Sequence, residues 1–467
     1  MKREVLVKSF KSSVFILILS AFHPLNSWSL PQIDKIIKGE AQISYPDSCT
    51  LKIEAQDNTI INYQSFNIQE NEKVFINLAS SQSRILNRVT TPTLSHLLGT
   101  LYCNGLFILV NESGIHIGPQ AQINTSSLIL STRDITNQDF LNGNYLFKRL
   151  SQQQKDLLLL NEGKINIKQA GFGVLIAGGI QNQGLISVPS GKIALACGDA
   201  VKLDVSSDGL ISVAILEPVA SKVLDYQGNP ITTQIHNTGT LEASVITLKA
   251  ESLPGIFEKA INLEGYVKAS RVEQKGGRII LKADNTVTVA SDIHSPTLNI
   301  EARDVTLEKQ PLTLQEQIII IAQDYIRLAT CLNSSSIRLE ANEKIDSSPE
   351  AIISSTNTTL ISNKFGSYTC PLIIHSPNIH IKKITGSIDI LETTGIGTSI
   401  LLRGPPDSWG SVIYPEDSHL ILEAQITTLQ GKDPIYLYGD ITFYNFFLDI
   451  PDKEIYFEEG RTYTFRG

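Results

Sequence analysis

The sequence predicts an all-β solenoid, with short strands wound into coils of about 20 residues and stacked along one axis. Three observations carry this. The first is a recurring phrase: IILKADNTVTV from Ile279, LNIEARDVTL from Leu298, IIIAQDYIRL from Ile319 and IRLEANEKI from Ile337. Each sets alternating apolar residues ahead of an alanine, then a polar turn, then further alternation. The alanines are Ala283, Ala302, Ala322 and Ala341, so the steps are 19, 20 and 19. The second is composition. Ile, Leu, Asn, Ser and Thr are abundant, while aromatic residues make up 7% and Met occurs once, a mix that suits strands and polar turns. The third is the near absence of helical periodicity. A sandwich or barrel would explain the strands but not the regular step. One coil cannot bury its apolar side alone; stacking puts equivalent Ile, Leu, Val and Ala residues into continuous columns. Some 20 coils, about 4.8 Å apart, would make a rod on the order of 90 Å long.

The elements follow in chain order. Lys2, Arg3, Lys8 and Lys11 form a basic region ahead of a short apolar run, VFILILSAF at residues 14–22, which is followed by Ser27-Trp28-Ser29. This predicts a signal peptide over residues 1–29, cleaved before Leu30 and too short to span a bilayer. The expected location is therefore secreted or cell-surface, by way of the periplasm. From Leu30 onward, strands of three to six residues alternate with Gly, Asn, Asp and Ser. In LVNESGIHIGPQAQINTSSLILST, residues 109–132, the alternation breaks at Asn111-Glu112-Ser113-Gly114 and resumes at once. An Asn side chain can accept from the amide two residues on, and glycine tolerates positive φ. These residues should form a tight turn, with Ile115 and Ile117 inward and His116 outward. Residues 139–160, DFLNGNYLFKRLSQQQKDLLLL, are the one place for a short helix or ordered loop. Next comes an Asn-x-Gly phrase, in NEGKI at Asn161, NQGLI at Asn182 and NTGTLEA at Asn237. Its Asn and Gly are expected to supply left-handed backbone at the bends. Residues 251–467 should continue the solenoid to a C-terminal cap or a truncated end.

Candidate chemistry is sparse. The net charge of −8 argues against a nucleic-acid partner. Cys49, Cys103, Cys197, Cys331 and Cys370 are odd in number and lack zinc spacing. They read as small packed residues, with one disulfide left open. Stacked strands can carry lyases and glycosidases, which need acids converging on one bond. Asp199, Asp204 and Asp208 are the nearest acidic cluster, and polar turns explain them equally well. His375 and His380 lie five residues apart, on opposite faces of a strand, which disfavours a shared metal. GFGVLIAGG from Gly171 lacks a third glycine at Ile176 and no helix follows, so it reads as a coil turn rather than a nucleotide loop. No catalytic residue, metal ligand or cofactor is expected.

Several phrases occur together between residues 33 and 215. GEAQI begins at Gly39 and NTIINYQSFNIQENEKVFI at Asn58. ILNRVTTPTLSHLLGTLYCNGLFILVNESGIHIGPQAQI follows from Ile85, LILSTRDITNQDFLNG from Leu128, and IQNQGLISVPSGKIALACGDAVKLDV from Ile180. In content, order and spacing this block resembles the N-terminal secretion domain of two-partner secretion exoproteins, the filamentous haemagglutinin family. The resemblance picks out Ser65, Phe66, Asn67, Asn87, Arg88, Asn104 and Gly105 as motif positions. It also departs from the family pattern. Asn111-Glu112-Ser113-Gly114 stands where the family has Asn-Pro-Asn-Gly, and Tyr63 stands where it has Trp. The resemblance implies a right-handed parallel β-helix with a secretion domain over residues 30–250. It implies an outer-membrane β-barrel transporter as partner, recognising this domain, with the Asn111–Gly114 turn as the recognition or turn motif. The expected function is a non-enzymatic surface protein or adhesin, whose ligand would be a host-cell or surface glycan or protein. The alternative is a secreted carbohydrate-active β-helix enzyme.

Overall fold

The structure is a computed structural model that describes residues 30–150, 155–206, 209–269 and 277–366, and separate segments, mostly strands, from there to Arg466. The signal-peptide expectation and Asp208 lie outside the described residues. The fold is a parallel β-solenoid of about 14 turns with about 22 residues per turn. Among the described residues, forty strands join one continuous hydrogen-bonded sheet that winds around the axis. At about 4.8 Å per coil these described turns span about 65 Å, fewer and shorter than the 20 coils and 90 Å expected. The chain is spent instead on side excursions. Cys197 stacks directly on Ala250, so that coil takes 53 residues.

The alanine column is present. Ala302, Ala322 and Ala341 stack in register. Lys282 pairs with Glu301, which brings Ala283 onto the same row. The row runs back through Ala250, Cys197 and Ala177. Beside it lies an interior of Ile, Leu and Val extending from Leu51 to Ile374. Parallel ladders need both neighbours in place, so each coil is held by the coils above and below it.

The Asn-x-Gly phrases also stack, for a reason other than the one expected. Asn161, Asn182 and Asn237 are fully buried. Asn161 Nδ2 donates to Asn182 Oδ1, and Asn182 Nδ2 donates to Asn237 Oδ1, each at 2.7 Å. The glycines that follow do not have left-handed backbone. They are required by close approach. A Cβ on Gly184 would sit 2.1 Å from the Gly163 carbonyl oxygen, one on Gly239 2.1 Å from that of Gly184, and one on Gly265 2.0 Å from that of Gly239.

The N-terminal end is capped by strands that run the other way. β1 (Gln32–Lys38) pairs antiparallel with β4 (Thr59–Ser65), and β2 (Ala41–Asp47) pairs antiparallel with β3 (Thr50–Ala55). On one flank lies a four-stranded antiparallel sheet of Asp134–Ile135, Tyr145–Lys148, Ala200–Ser206 and Gly209–Glu217. With it goes the short helix α1 (Asn137–Asn142). Thr136 caps α1 by accepting from Asp139 N, and Gly143 ends it at φ 69°. The helix thus starts two residues ahead of the segment expected to hold it and stops early. This flank covers a second apolar core, with Phe140 and Phe147 against Ile129, Val174 and Ile176 of the rod. That is why every residue of Phe172–Ala177 is buried: one face meets the interior and the other meets the flanking sheet.

Candidate functional site

The Asn111–Gly114 segment is a closed turn. Gly114 N donates to Asn111 O at 3.1 Å, and Gly114 has φ 100°. Ser113 N donates to Asn111 Oδ1 at 2.9 Å. The Asn111 amide group reaches the preceding coil, donating to Thr93 O and to Ser95 Oγ, both at 2.9 Å. Asn111 is only 1% exposed, so the residue is a tie between coils as well as a turn former. Ile115 and Ile117 point inward and His116 is half-buried outside, as expected. Glu112 occupies the second position of the turn, where proline is favoured. Its carboxylate accepts from Leu150 N at 3.0 Å, and burial first raises its pKa, with this bond opposing.

The other motif positions take distinct places in the first coils. Tyr63 is fully buried and donates to Asn87 Oδ1 at 2.9 Å, while Asn87 Nδ2 donates to Ile108 O at 3.1 Å. Burial, then Tyr45, pushes the Tyr63 phenol far above its ordinary range, which keeps it a donor. Phe66 lies edge-on to Tyr63 at 4.9 Å between ring centres and 5.9 Å from Phe107. Ser65 ends β4 opposite Gln32 of the cap. Asn67 Oδ1 accepts from His96 N at 2.8 Å. Arg88 holds the flank, donating to Asp134 Oδ1 and Asn137 Oδ1 at 2.8 Å and to Ile135 O at 2.5 Å. Asn104 pairs with Leu78 as a strand residue would: its Oδ1 accepts from Leu78 N at 2.7 Å and its Nδ2 donates to Leu78 O at 2.9 Å. Gly105 leaves room for the Ser83 carbonyl oxygen, 2.3 Å from where a Cβ would be. Phe66, Asn67 and Asn87 thus converge near the first coils and the Asn111 turn, whereas Asn104 and Gly105 serve another corner.

Two clusters beside this site carry little sequence signal. One is a histidine ladder. His96 and His116 occupy successive coils with their Nδ1 atoms 3.4 Å apart, and His116 Nε2 lies 2.7 Å from Glu162. Tyr226 packs its ring 5.4 Å from that of His116 and donates to Ile115 O at 2.7 Å and Leu158 O at 3.0 Å. The other is a buried ion network. Arg133 is 1% exposed and grips Asp156 through both Nη atoms at 2.8 and 2.7 Å. Its Nη2 also donates to Asp199 at 2.9 Å, and its Nε to Gly198 O at 2.9 Å. Burial works against the Arg133 cation, but Asp156 and then Asp199 more than offset it and raise its pKa. Arg149 lies 3.7 Å from Asp156 and donates to Ser221 Oγ at 2.5 Å. A side chain at Gly178 would strike Asp156 at 2.3 Å and Arg133 at 2.8 Å, so this glycine makes space for the network. That glycine was its only trace in the sequence.

The suspected acidic cluster does not converge. Asp199 is held by Arg133 and accepts from Ala220 N at 3.1 Å, while Asp204 is exposed and accepts from Ser212 Oγ at 2.6 Å. His375 ends one strand, and His380 lies in the next, where side chains are outside the description. Cys103 and Cys197 are buried, and burial pushes the Cys103 thiol up to about 12. Cys49 is exposed rather than packed away.

A family model described as the TPS secretion domain matches residues 50–295. The heme/hemopexin-binding protein of Haemophilus influenzae strain Rd is 30% identical over 261 residues, covering 55% of this chain and 27% of that protein. A second heme/hemopexin-binding protein from Haemophilus influenzae is 25% identical over 278 residues, 55% of this chain and 28% of the other. The chain thus spans little more than a quarter of the length of these relatives. Among solved structures, the secretion domain of HMW1 from Haemophilus influenzae aligns at 19% identity with a TM-score of 0.48, over 92% of this chain and all of that one. The filamentous hemagglutinin secretion domain aligns at 15% identity with a TM-score of 0.32, over 71% and 97%.

Proposed function

Since the chain belongs to the TPS, or two-partner secretion, family of exoproteins, we propose that its N-terminal coils are an export signal read by an outer-membrane β-barrel transporter, and that the exported rod acts at the cell surface as an adhesin. The observation that supports this best is the Asn111 turn. Its side chain is committed to Thr93, Ser95 and Ser113, so its shape is set by the coil beneath it. A turn held this way presents a constant surface to a partner. A catalytic role has less support, because Asp199 is consumed in ion pairs and Asp204 lies apart from it. Heme and hemopexin, which name the two relatives, are the first ligands to try, beside host glycans and proteins.

Export is tested by expressing the chain with and without a partner transporter and measuring protein outside the cell. Release should require the transporter. Equal release in both cases overturns the reading. The turn is tested by Asn111→Ala in the same assay, scored against a control of equal stability loss, such as Ala302→Val. Export should fall further in Asn111→Ala than in the control. Equal losses would make the turn structural only.

A further inference from the structure

We propose that the cleft under the Tyr226 loop is a binding site for a neutral oligosaccharide. This deepens the surface-ligand part of the reading above, and its test uses purified protein so that it stands apart from export. The cleft has a volume of about 720 Å³. Its floor is one outward row on four successive coils, Leu160, Gln181, His236 and Asn262, in register. Its roof is the loop from Asp225 to Ile231, anchored by the two Tyr226 hydrogen bonds.

Two polar atoms in this floor have no hydrogen-bond partner among the described residues. They are His236 Nε2 and Asn262 Oδ1, neighbours on adjacent coils, and both residues line the cleft. Asn262 is only 6% exposed, with its Nδ2 committed to Glu264 at 3.0 Å. Glu264 also approaches His236 Nε2, but at 3.8 Å, beyond hydrogen-bond distance. Buried polar atoms normally find partners; these two are closed to solvent as the side chains stand, so a ligand in the cleft engages them by turning the His236 ring and the Asn262 amide outward.

The chemistry of the walls selects that ligand. A sugar hydroxyl both donates and accepts, as do the amides of Gln181 and Gln183 that face the same space. Leu160, Pro230 and Ile231 offer apolar contact for the C–H face of a sugar ring. An anion is disfavoured, because Glu162, Asp225 and Glu258 line the cleft against Lys259 alone. A cationic group finds less than this count suggests. Asp225 accepts from Gln227 N and Asn229 N in its own turn, and Glu162 is engaged by His116. A peptide cannot add as a strand, because the floor strands Ile180–Asn182 and Thr233–Asn237 are paired on both edges.

The test is saturation-transfer NMR on the full chain with maltotriose, cellotriose and N-acetylated chitotriose, with sialyllactose and trilysine as charged probes. At least one neutral sugar should bind at millimolar concentration in preference to both charged probes. Gln181→Ala and Gln183→Ala should each keep the circular dichroism spectrum and weaken binding by about tenfold. Asn166→Ala, on another face, should leave it unchanged. The proposal is overturned if no neutral sugar binds, if a charged probe is preferred, or if both glutamine variants bind as the parent does. Failure here with transporter-dependent export intact removes the cleft and leaves the secretion reading standing.

Discussion

A buried amide is tolerated only when its polar atoms are matched. Asn111 meets this condition with three hydrogen bonds, two of them to the coil beneath. From the sequence, Asn111→Ala would cost about 1 kcal/mol, the value of one turn bond. With the inter-coil bonds included, the loss should be about 2–3 kcal/mol, read as a lower midpoint in urea unfolding. A loss under half of that would mean the inter-coil bonds add nothing. Glu112→Pro with Ser113→Asn should keep the fold, because proline suits the second position of a turn closed by Gly114 N and Asn111 O. A drop in unfolding midpoint would show that the Glu112–Leu150 bond matters more than the turn preference. His96 gives a pH signature. Burial, then His116, holds its pKa below the usual imidazole range. Its facing groups are His116, with Glu162 beyond, and the Asn67 side chain on its own amide. The unfolded chain takes up the proton first, so this residue's contribution is complete above about pH 6.5 and is lost as pH falls below it. The melting temperature should drop between about pH 7.5 and about pH 5.5, and His96→Gln should reduce the drop. At this scale the turn was legible because its residue types act locally. Arg133 was not, since its partners Asp156 and Asp199 lie 23 and 66 residues away.

Elements here are defined by what stacks on them. The asparagine ladder was visible as a repeated phrase because the same residue must recur wherever the same corner recurs. What the phrase hid was the reason for its glycine, which lies in the next coil and not in the local backbone. Gly239→Ala would place a Cβ 2.1 Å from the Gly184 carbonyl oxygen, and backbone cannot swing aside as a side chain can. The expected loss is about 1–3 kcal/mol or more, in contrast to the small gain usual for such a change in an open turn. A neutral result would refute the close-packed corner. Ala302→Phe tests the alanine column in the same way, with about 1–3 kcal/mol from overpacking beside Ala283 and Ala322. The flanking sheet was not legible. Its strands carry the same alternation as coil strands, and nothing local tells that Ala200–Ser206 pairs with Tyr145–Lys148 rather than with the coil below. Arg133→Met should cost about 3–5 kcal/mol, because it strands two buried carboxylates between flank and rod. A smaller loss would mean that Arg149 takes over the pair.

Over the whole molecule, the period of the repeat was legible and the number of coils was not, because excursions such as Gly198–Thr232 add length without adding height. They also set where the chain can be cut. A fragment of residues 33–215 would lose Ala220, Ser221 and the Val223–Leu224 strand, which close the ion network from the far side. A fragment of residues 30–295 keeps them, so it should be the more protease-resistant of the two and the better exported. Equal resistance would show that the network does not depend on that side. The reversed strands at the N-terminal end have a wider meaning. A stack of near-identical layers is a crystal in one dimension, and either bare end would accept another layer, whether from its own chain or from a neighbour. β1 and β2 poison one of those growth faces, since a parallel layer laid on them meets strands of the wrong polarity. Growth of the stack then has a direction, from the sealed end outward, and a neighbour's coil would have to reverse its strand direction to continue the pairing there.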